Sequence, residues 1–259
     1  MIKTNSCVYC GIQIRKARNT DDARSVEHMI PESAVSISRK GDFHVCRKCN
    51  TEKSKIDALF GLISRTTSTG DGAIEAANKL GRMAAKGDKA VINMIQTAKN
   101  SNGRFEVSLP FKGEDIYKYG VFLTKGEYFK QHQKLLNMEK NVVLVSWGGA
   151  NLINHITDEY KKAHKNDPFH DLAQNSNVEN INKECFIVAN QSGSEYVFVF
   201  SRAYSLLTKV VERTEETIAQ KRYNKRCLIP GFAKGEKSEY CVYKLSRTGK
   251  PERVQAGFD

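Results

Sequence analysis

Two Cys-x-x-Cys pairs, Cys7-Val8-Tyr9-Cys10 and Cys46-Arg47-Lys48-Cys49, constrain this chain more than any other feature. A two-residue spacer lets both sulfurs of a pair face one ion. Two such pairs make a four-thiolate shell that suits tetrahedral zinc. A closed shell of this kind braces a fold but has no open position at which to activate water. Residues 11–45 separate the pairs, a longer insert than the roughly 15–20 residues of a simple zinc ribbon. A substantial piece of structure is therefore expected inside the loop.

The other three cysteines, Cys185, Cys227 and Cys241, stand far apart in strand-like sequence and read as small buried apolar residues. Seven cysteines is an odd count, and Met1–Cys7 has no apolar signal region, so a reducing, cytoplasmic setting is expected. No apolar run approaches the roughly 20 residues of a membrane-spanning helix. Lysine and arginine number 41 against 29 acids, a formal charge of +12. That excess favours a polyanionic partner, nucleic acid first among them.

The chain of 259 residues divides by texture. Residues 1–57 are loop-rich and too short of apolar runs to hold a core without a metal. Residues 58–103 read as a helical connector. Helical spacing begins at Ile56–Ser64, a Ser/Thr/Gly hinge follows over Ser64–Gly72, and helices are predicted over Ala73–Lys86 and Asp88–Lys99. The stripe of the first is Ile74, Ala77, Leu80 and Ala84; Asp88 is placed to cap the second.

Residues 104–259 are expected to form a larger mixed α+β domain. Strands are predicted over Phe105–Phe111, Val142–Trp147, Cys185–Ala189, Tyr196–Phe200 and Tyr240–Leu245, the last closing the sheet. Helices are predicted over Tyr117–Leu136, Leu152–His164 and Leu206–Arg222. His132, His155, His164 and His170 show no regular ligand spacing, and His155 with Glu159 reads as a surface pair. Trp147 reads as core. Basic residues at Lys161, Lys162, Lys165, Lys209, Lys221, Arg222 and Arg226 are candidates for holding a duplex backbone.

Candidate chemistry lies inside the amino-terminal insert. Val26-Glu27-His28-Met29-Ile30-Pro31-Glu32 places a carboxylate beside an imidazole, and Asn50-Thr51-Glu52-Lys53-Ser54-Lys55 follows the second cysteine pair. The combination of Glu-His, Ile-Pro and Cys-x-x-Cys-Asn-x-x-Lys resembles the HNH nucleases and their ββα-metal finger, over about 50 amino-terminal residues. The resemblance implies a zinc-stapled ββα-metal module with zinc on Cys7, Cys10, Cys46 and Cys49. It implies His28 as general base, and Glu27 and Asn50 as ligands of a catalytic Mg²⁺ or Mn²⁺. Imidazole, with an unperturbed pKa of about 6.5, is suited to take a proton from water at neutral pH. Oxygen donors suit hard divalent cations. Lys53 and Lys55 are candidate nucleic-acid contacts.

One departure concerns the middle asparagine of the HNH pattern. The stretch Arg39-Lys40-Gly41-Asp42-Phe43-His44 has none, and Asp42 is the candidate to replace its loop-bracing hydrogen bonds. His44 is read as structural, with metal or phosphate contact as the alternative. Thr124-Lys125-Gly126-Glu127-Tyr128-Phe129 is similar to a segment in the carboxy-terminal regions of some bacterial HNH proteins.

The function expected is a DNA-cleaving endonuclease in phage defence or a mobile element. A non-catalytic zinc module binding nucleic acid is the alternative. A further one is the nuclease subunit of a multi-protein defence complex, with a partner protein.

Overall fold

A computed structural model describes residues 1–35, 40–68, 71–101, 104–149, 176–180, 185–201, 203–215, 242–245 and 251–254. The chain is mixed α+β. Strands β1 (Arg24–Glu27) and β2 (Phe43–Cys46) form an antiparallel ribbon, and helix α1 (Arg47–Arg65) starts without a break after β2. Helices α2 (Asp71–Ala85) and α3 (Lys89–Gln96) lead to a short hairpin of β3 (Lys99–Ser101) and β4 (Arg104–Glu106). Helix α4 (Gly113–His132) then runs to a five-stranded antiparallel sheet. Its strands are β5 (Asn141–Gly149), β6 (Ser176–Asn180), β7 (Cys185–Asn190), β8 (Glu195–Phe200) and β9 (Tyr204–Glu212), in the order β5-β9-β8-β7-β6. Strands β10 (Val242–Leu245) and β11 (Pro251–Val254) pair only with each other among the described residues.

Helix α1 begins inside the second cysteine pair. Cys46 is its N-cap, and the Cys46 sulfur accepts from the Cys49 N–H at 3.4 Å. No acidic side chain occupies the first turn. Negative thiolate charge at this end would instead complement the helix dipole. Asn50 thus lies on the first turn of α1 and does not open or cap it. Asp88 caps α3, its carboxylate accepting from Ala90 and Val91.

The strand expected over Phe105–Phe111 ends at Glu106, and three further expectations change. Leu206–Arg222 was expected as a helix, but over the described residues Tyr204–Glu212 is strand β9, flanked by β5 and β8 in the middle of the sheet. The apolar spacing of Leu206, Leu207, Val210 and Val211 fits either period. Thr208, Val210 and Val211 are β-branched, and pairing on both edges decides for strand. Among the described residues the final strand joins no larger sheet, because β10 pairs with β11 alone. In α2 the buried positions are Ala76 and Leu80, while Ile74 faces solvent. The helix expected over Leu152–His164, the basic positions 161, 162, 165, 221, 222 and 226, His155, Glu159, His164, His170, Cys227 and Cys241 lie outside the described residues or their described side chains.

One cluster of buried apolar side chains extends from Cys7 to Leu206 and draws on the cysteine module, α1, α2, α3, α4 and the sheet. Residue 57, where the first module was expected to end, falls within α1. Phe60 of α1 is central: its ring lies 4.6 Å from Tyr119, 4.2 Å from Tyr204 and 4.9 Å from Phe111, centroid to centroid. The Tyr204 hydroxyl donates to the Phe60 carbonyl, tying β9 to α1. Beside it, Gly61 lets α1 approach the loop after Pro31. A Cβ there would stand 2.7 Å from the Ala34 nitrogen, so only glycine fits. No helix among the described residues is long and apolar enough to cross a membrane.

Candidate metal centre and adjoining pocket

The folded ribbon brings both cysteine pairs together. The four sulfurs of Cys7, Cys10, Cys46 and Cys49 all lie within 4.8 Å of one another, and Cys10 and Cys46 are 3.7 Å apart. Sulfurs at the ~2.3 Å zinc bond length around a tetrahedron would be about 3.8 Å apart. The cluster therefore fits a structural metal ion such as zinc with little rearrangement. The thiols differ in acidity. A hydrogen bond from Cys49 holds the Cys7 thiol down to about 4, the same bond pushes Cys49 up, and burial raises Cys46 to about 11.

Helix α4 closes over the cluster. Lys125 donates to the Tyr9 carbonyl at 2.7 Å. The Tyr9 ring packs edge-on against Phe43 (5.8 Å) and Phe122 (4.8 Å). In the Thr124–Phe129 segment singled out in the sequence, Thr124, Gly126, Glu127 and Phe129 are buried, as are several residues earlier in α4. Cys185 is a buried thiol whose sulfur lies 3.7 Å from the Ala34 carbonyl.

Next to the cysteines, β1 delivers Glu27 at its last residue, His28 follows, and α1 returns alongside. Residues Glu27, His28 and Asn50 line one pocket of about 200 Å³, together with Val26, Pro31, Glu32, Ser54 and Asp57. His28 has 29% of its side chain exposed, and its Nε2 stands 3.8 Å from Glu32 Oε1. Asn50 donates to Ser25 Oγ at 2.6 Å, which commits its amide nitrogen and leaves the carbonyl oxygen as the donor atom for a ligand.

Glu27 is 1% exposed and ion-paired to Lys53, 2.8 Å between Oε1 and Nζ. Lys53 is wholly buried. Its ammonium also reaches both Asp57 oxygens, at 2.9 and 2.8 Å, and the His28 carbonyl at 3.3 Å. Burial pushes the Lys53 ammonium toward the neutral form, but Asp57 and Glu27 outweigh it and the pKa ends above its usual value. Burial raises Glu27 and Asp57, only partly opposed by Lys53. Lys53, expected at a phosphate, is an internal counter-ion in this structure. Lys55 is exposed and lines a separate open groove of about 640 Å³ with Arg47, Lys48, Thr51 and Glu52.

One residue of this site carries more than sequence reasoning assigned. Asp57 was missed, although Asn50, Lys53 and Asp57 are spaced i, i+3 and i+7 on one helix face. Asp42 does brace the loop after His28: its Oδ2 accepts from the Met29 N–H at 2.8 Å. His44 is buried on β2, opposite Val26, with its pKa lowered by burial and by Arg24 and Lys3. Lys209 pairs with Glu195 across the sheet.

Comparison with known proteins returns no match, whether to a family model, a curated protein or a solved structure.

Proposed function

We propose that this chain is a metal-dependent endonuclease of the HNH type that hydrolyses phosphodiester bonds in DNA, with His28 as general base. The observation that carries the reading is the common pocket of Glu27, His28 and Asn50 beside the four-cysteine cluster. The order β1, β2, α1, with the base at the end of the first strand and Asn50 on the helix, agrees with a ββα-metal finger.

The pocket's chemistry fits a hard divalent cation. Glu32 and Asp57 bring carboxylates to the pocket, Glu27 lies buried behind its wall against Lys53, and Asn50 adds a carbonyl oxygen. Glu27 and Asn50 would hold Mg²⁺ or Mn²⁺. When bound, such an ion stabilises charge on the phosphorus centre and the departing 3′ oxygen. His28 takes the proton of the attacking water on its solvent-reached face, and Glu32 stabilises the imidazolium that results. Zinc in the cysteine cluster would tie the Cys7–Cys10 segment to the junction of β2 and α1 and would take no part in bond breaking. The products would be 5′-phosphate and 3′-hydroxyl ends, as in the family resembled. Phage defence is the proposed setting, with a partner protein as a further component.

One observation favours the second reading, a non-catalytic zinc module binding nucleic acid. Glu27 is nearly fully buried and already paired, as a purely structural carboxylate would be. Plasmid nicking in Mg²⁺ or Mn²⁺ separates the two. His28→Ala is expected to slow nicking by about 10²–10⁴-fold, the usual worth of a general base, while its zinc content stays unchanged. Equal rates in wild type and variant would exclude His28 as the base. Absence of nicking in the wild type would favour the binding module, and activity appearing only with a co-purifying protein would favour the complex subunit.

A further inference from the structure

Lys53 is the one wholly buried cation among the described residues. Glu27 reaches it from β1, Asp57 from the next turn of α1, and the His28 carbonyl from the loop. Tyr119 of α4 presents its ring 5.5 Å below the ammonium. The phenols of Tyr9 and Tyr119 face Glu27 and Asp57. A side chain enclosed in this way cannot reach a phosphate without dismantling the core between α1 and α4.

We infer that Lys53 is a positioning residue for the pocket: its ammonium joins the Glu27 carboxylate, the Asp57 carboxylate and the His28 backbone carbonyl into one rigid unit. The inference rests on the nuclease reading and replaces the phosphate role that the helix position suggested. The –NH₃⁺ donates to Asp57 on its own helix and to the His28 carbonyl, and it ion-pairs with Glu27 at the end of β1. Glu27 is thereby kept at the floor of the pocket, and the peptide of His28 is tied to α1, so the imidazole keeps one distance from that carboxylate. Groups of this type, one shell removed from the reacting atoms, typically change activity by about 10–100-fold when lost. Tyr119 links the unit to the large sheet, because its ring also packs on Phe60 and Phe200.

The test compares wild type, Lys53→Met, Lys53→Arg and Asp57→Asn in three measurements: kcat and KM for plasmid nicking, the salt dependence of DNA binding, and zinc content with urea unfolding. A positioning role gives a kcat lower by about 10–100-fold in Lys53→Met. It leaves KM and the salt slope of binding at wild-type values, and Lys53→Arg restores part of kcat. A phosphate contact would instead raise KM and reduce the salt slope by about one, and that result overturns the inference. Lys53→Met leaves two buried carboxylates without a cation and is at risk of not folding. Asp57→Asn, of the same shape, keeps the test decisive: it is expected to lower kcat with KM and the salt slope unchanged. Wild-type kcat in Asp57→Asn overturns the inference. No nicking by wild type with either metal would remove the nuclease reading itself; nicking by wild type with unaltered variants removes only the role of Lys53.

Discussion

Met29 follows the candidate base directly, and its N–H is held by an aspartate thirteen residues on. The Asp42 backbone is anchored as well, its N–H donating to the Glu27 carbonyl at 2.7 Å and its carbonyl accepting from Ile2 at 2.8 Å. Position 42 thus clamps the turn that aims His28, and a side-chain oxygen is all that the task requires. Asp42→Ala is expected to destabilise the protein by about 1–3 kcal/mol, the range for leaving a partly buried donor unpaired, measured by urea unfolding. Asp42→Asn keeps the acceptor and should cost less than half as much. Equal losses would mean that charge, not the oxygen, is what position 42 supplies. The role of Asp42 was legible because it lies where the resembled pattern has an asparagine. The burial of Lys53 was not. A lysine on the exposed-looking first turns of a basic helix reads as a surface charge until the partner strand and α4 are seen to enclose it.

At the scale of elements, α4 does what no motif announces: it roofs the cysteine cluster, the loop after His28 and the face of the sheet together. Gly126 permits the approach. A Cβ there would lie 2.7 Å from the Met29 sulfur and 2.9 Å from Phe43 Cζ. Alanine would gain up to about 1 kcal/mol of helix propensity over glycine, but overpacking costs about 1–3 kcal/mol. Gly126→Ala is therefore expected to be net destabilising, with a lower urea midpoint and an unchanged slope; a raised midpoint would mean that Met29 simply moves aside. On the other face of the helix, Thr124 Oγ1 and Thr208 Oγ1 are hydrogen-bonded at 2.8 Å in the core between α4 and β9. Thr124→Val removes one hydroxyl and should destabilise by about 1–3 kcal/mol; Thr124→Ser, which keeps it, should recover the hydrogen-bond part. Strand β9 itself marks where periodicity failed. Its apolar residues satisfied a helical spacing, and only the neighbours on both sides settled the matter.

On the scale of the whole molecule, metal and core act on the same structure. The thiolate cluster sits at the start of α1, α1 carries Phe60, and Phe60 contacts α4 and β9. The sole tryptophan, Trp147, lies in the sheet and stacks on Tyr204 at 5.5 Å. Cobalt placed in the cysteine cluster would report on the amino-terminal end, and Trp147 fluorescence on the sheet. The two signals are expected to vanish in one transition in urea, since a single buried cluster joins them. Stripping the metal should lower the thermal midpoint seen by Trp147 as well. Two separated transitions, with Trp147 indifferent to the metal, would show that the cysteine module unfolds alone.

The amino-acid sequence by itself determined the thiolate set, the α+β texture and the candidate chemistry of Glu27, His28 and Asn50, because each depends on residue type and short spacing. Two residues between cysteines, or a carboxylate beside an imidazole, already limit what can be bound. The tertiary structure alone decided that Lys53 is an inner cation, that Asp57 lines the pocket, that Leu206 and its neighbours form a central strand, and that α4 roofs the site. Those outcomes depend on which surfaces meet across long stretches of chain. Burial, and with it the worth of a charge or the choice between helix and strand, is a property of that meeting and of no local pattern.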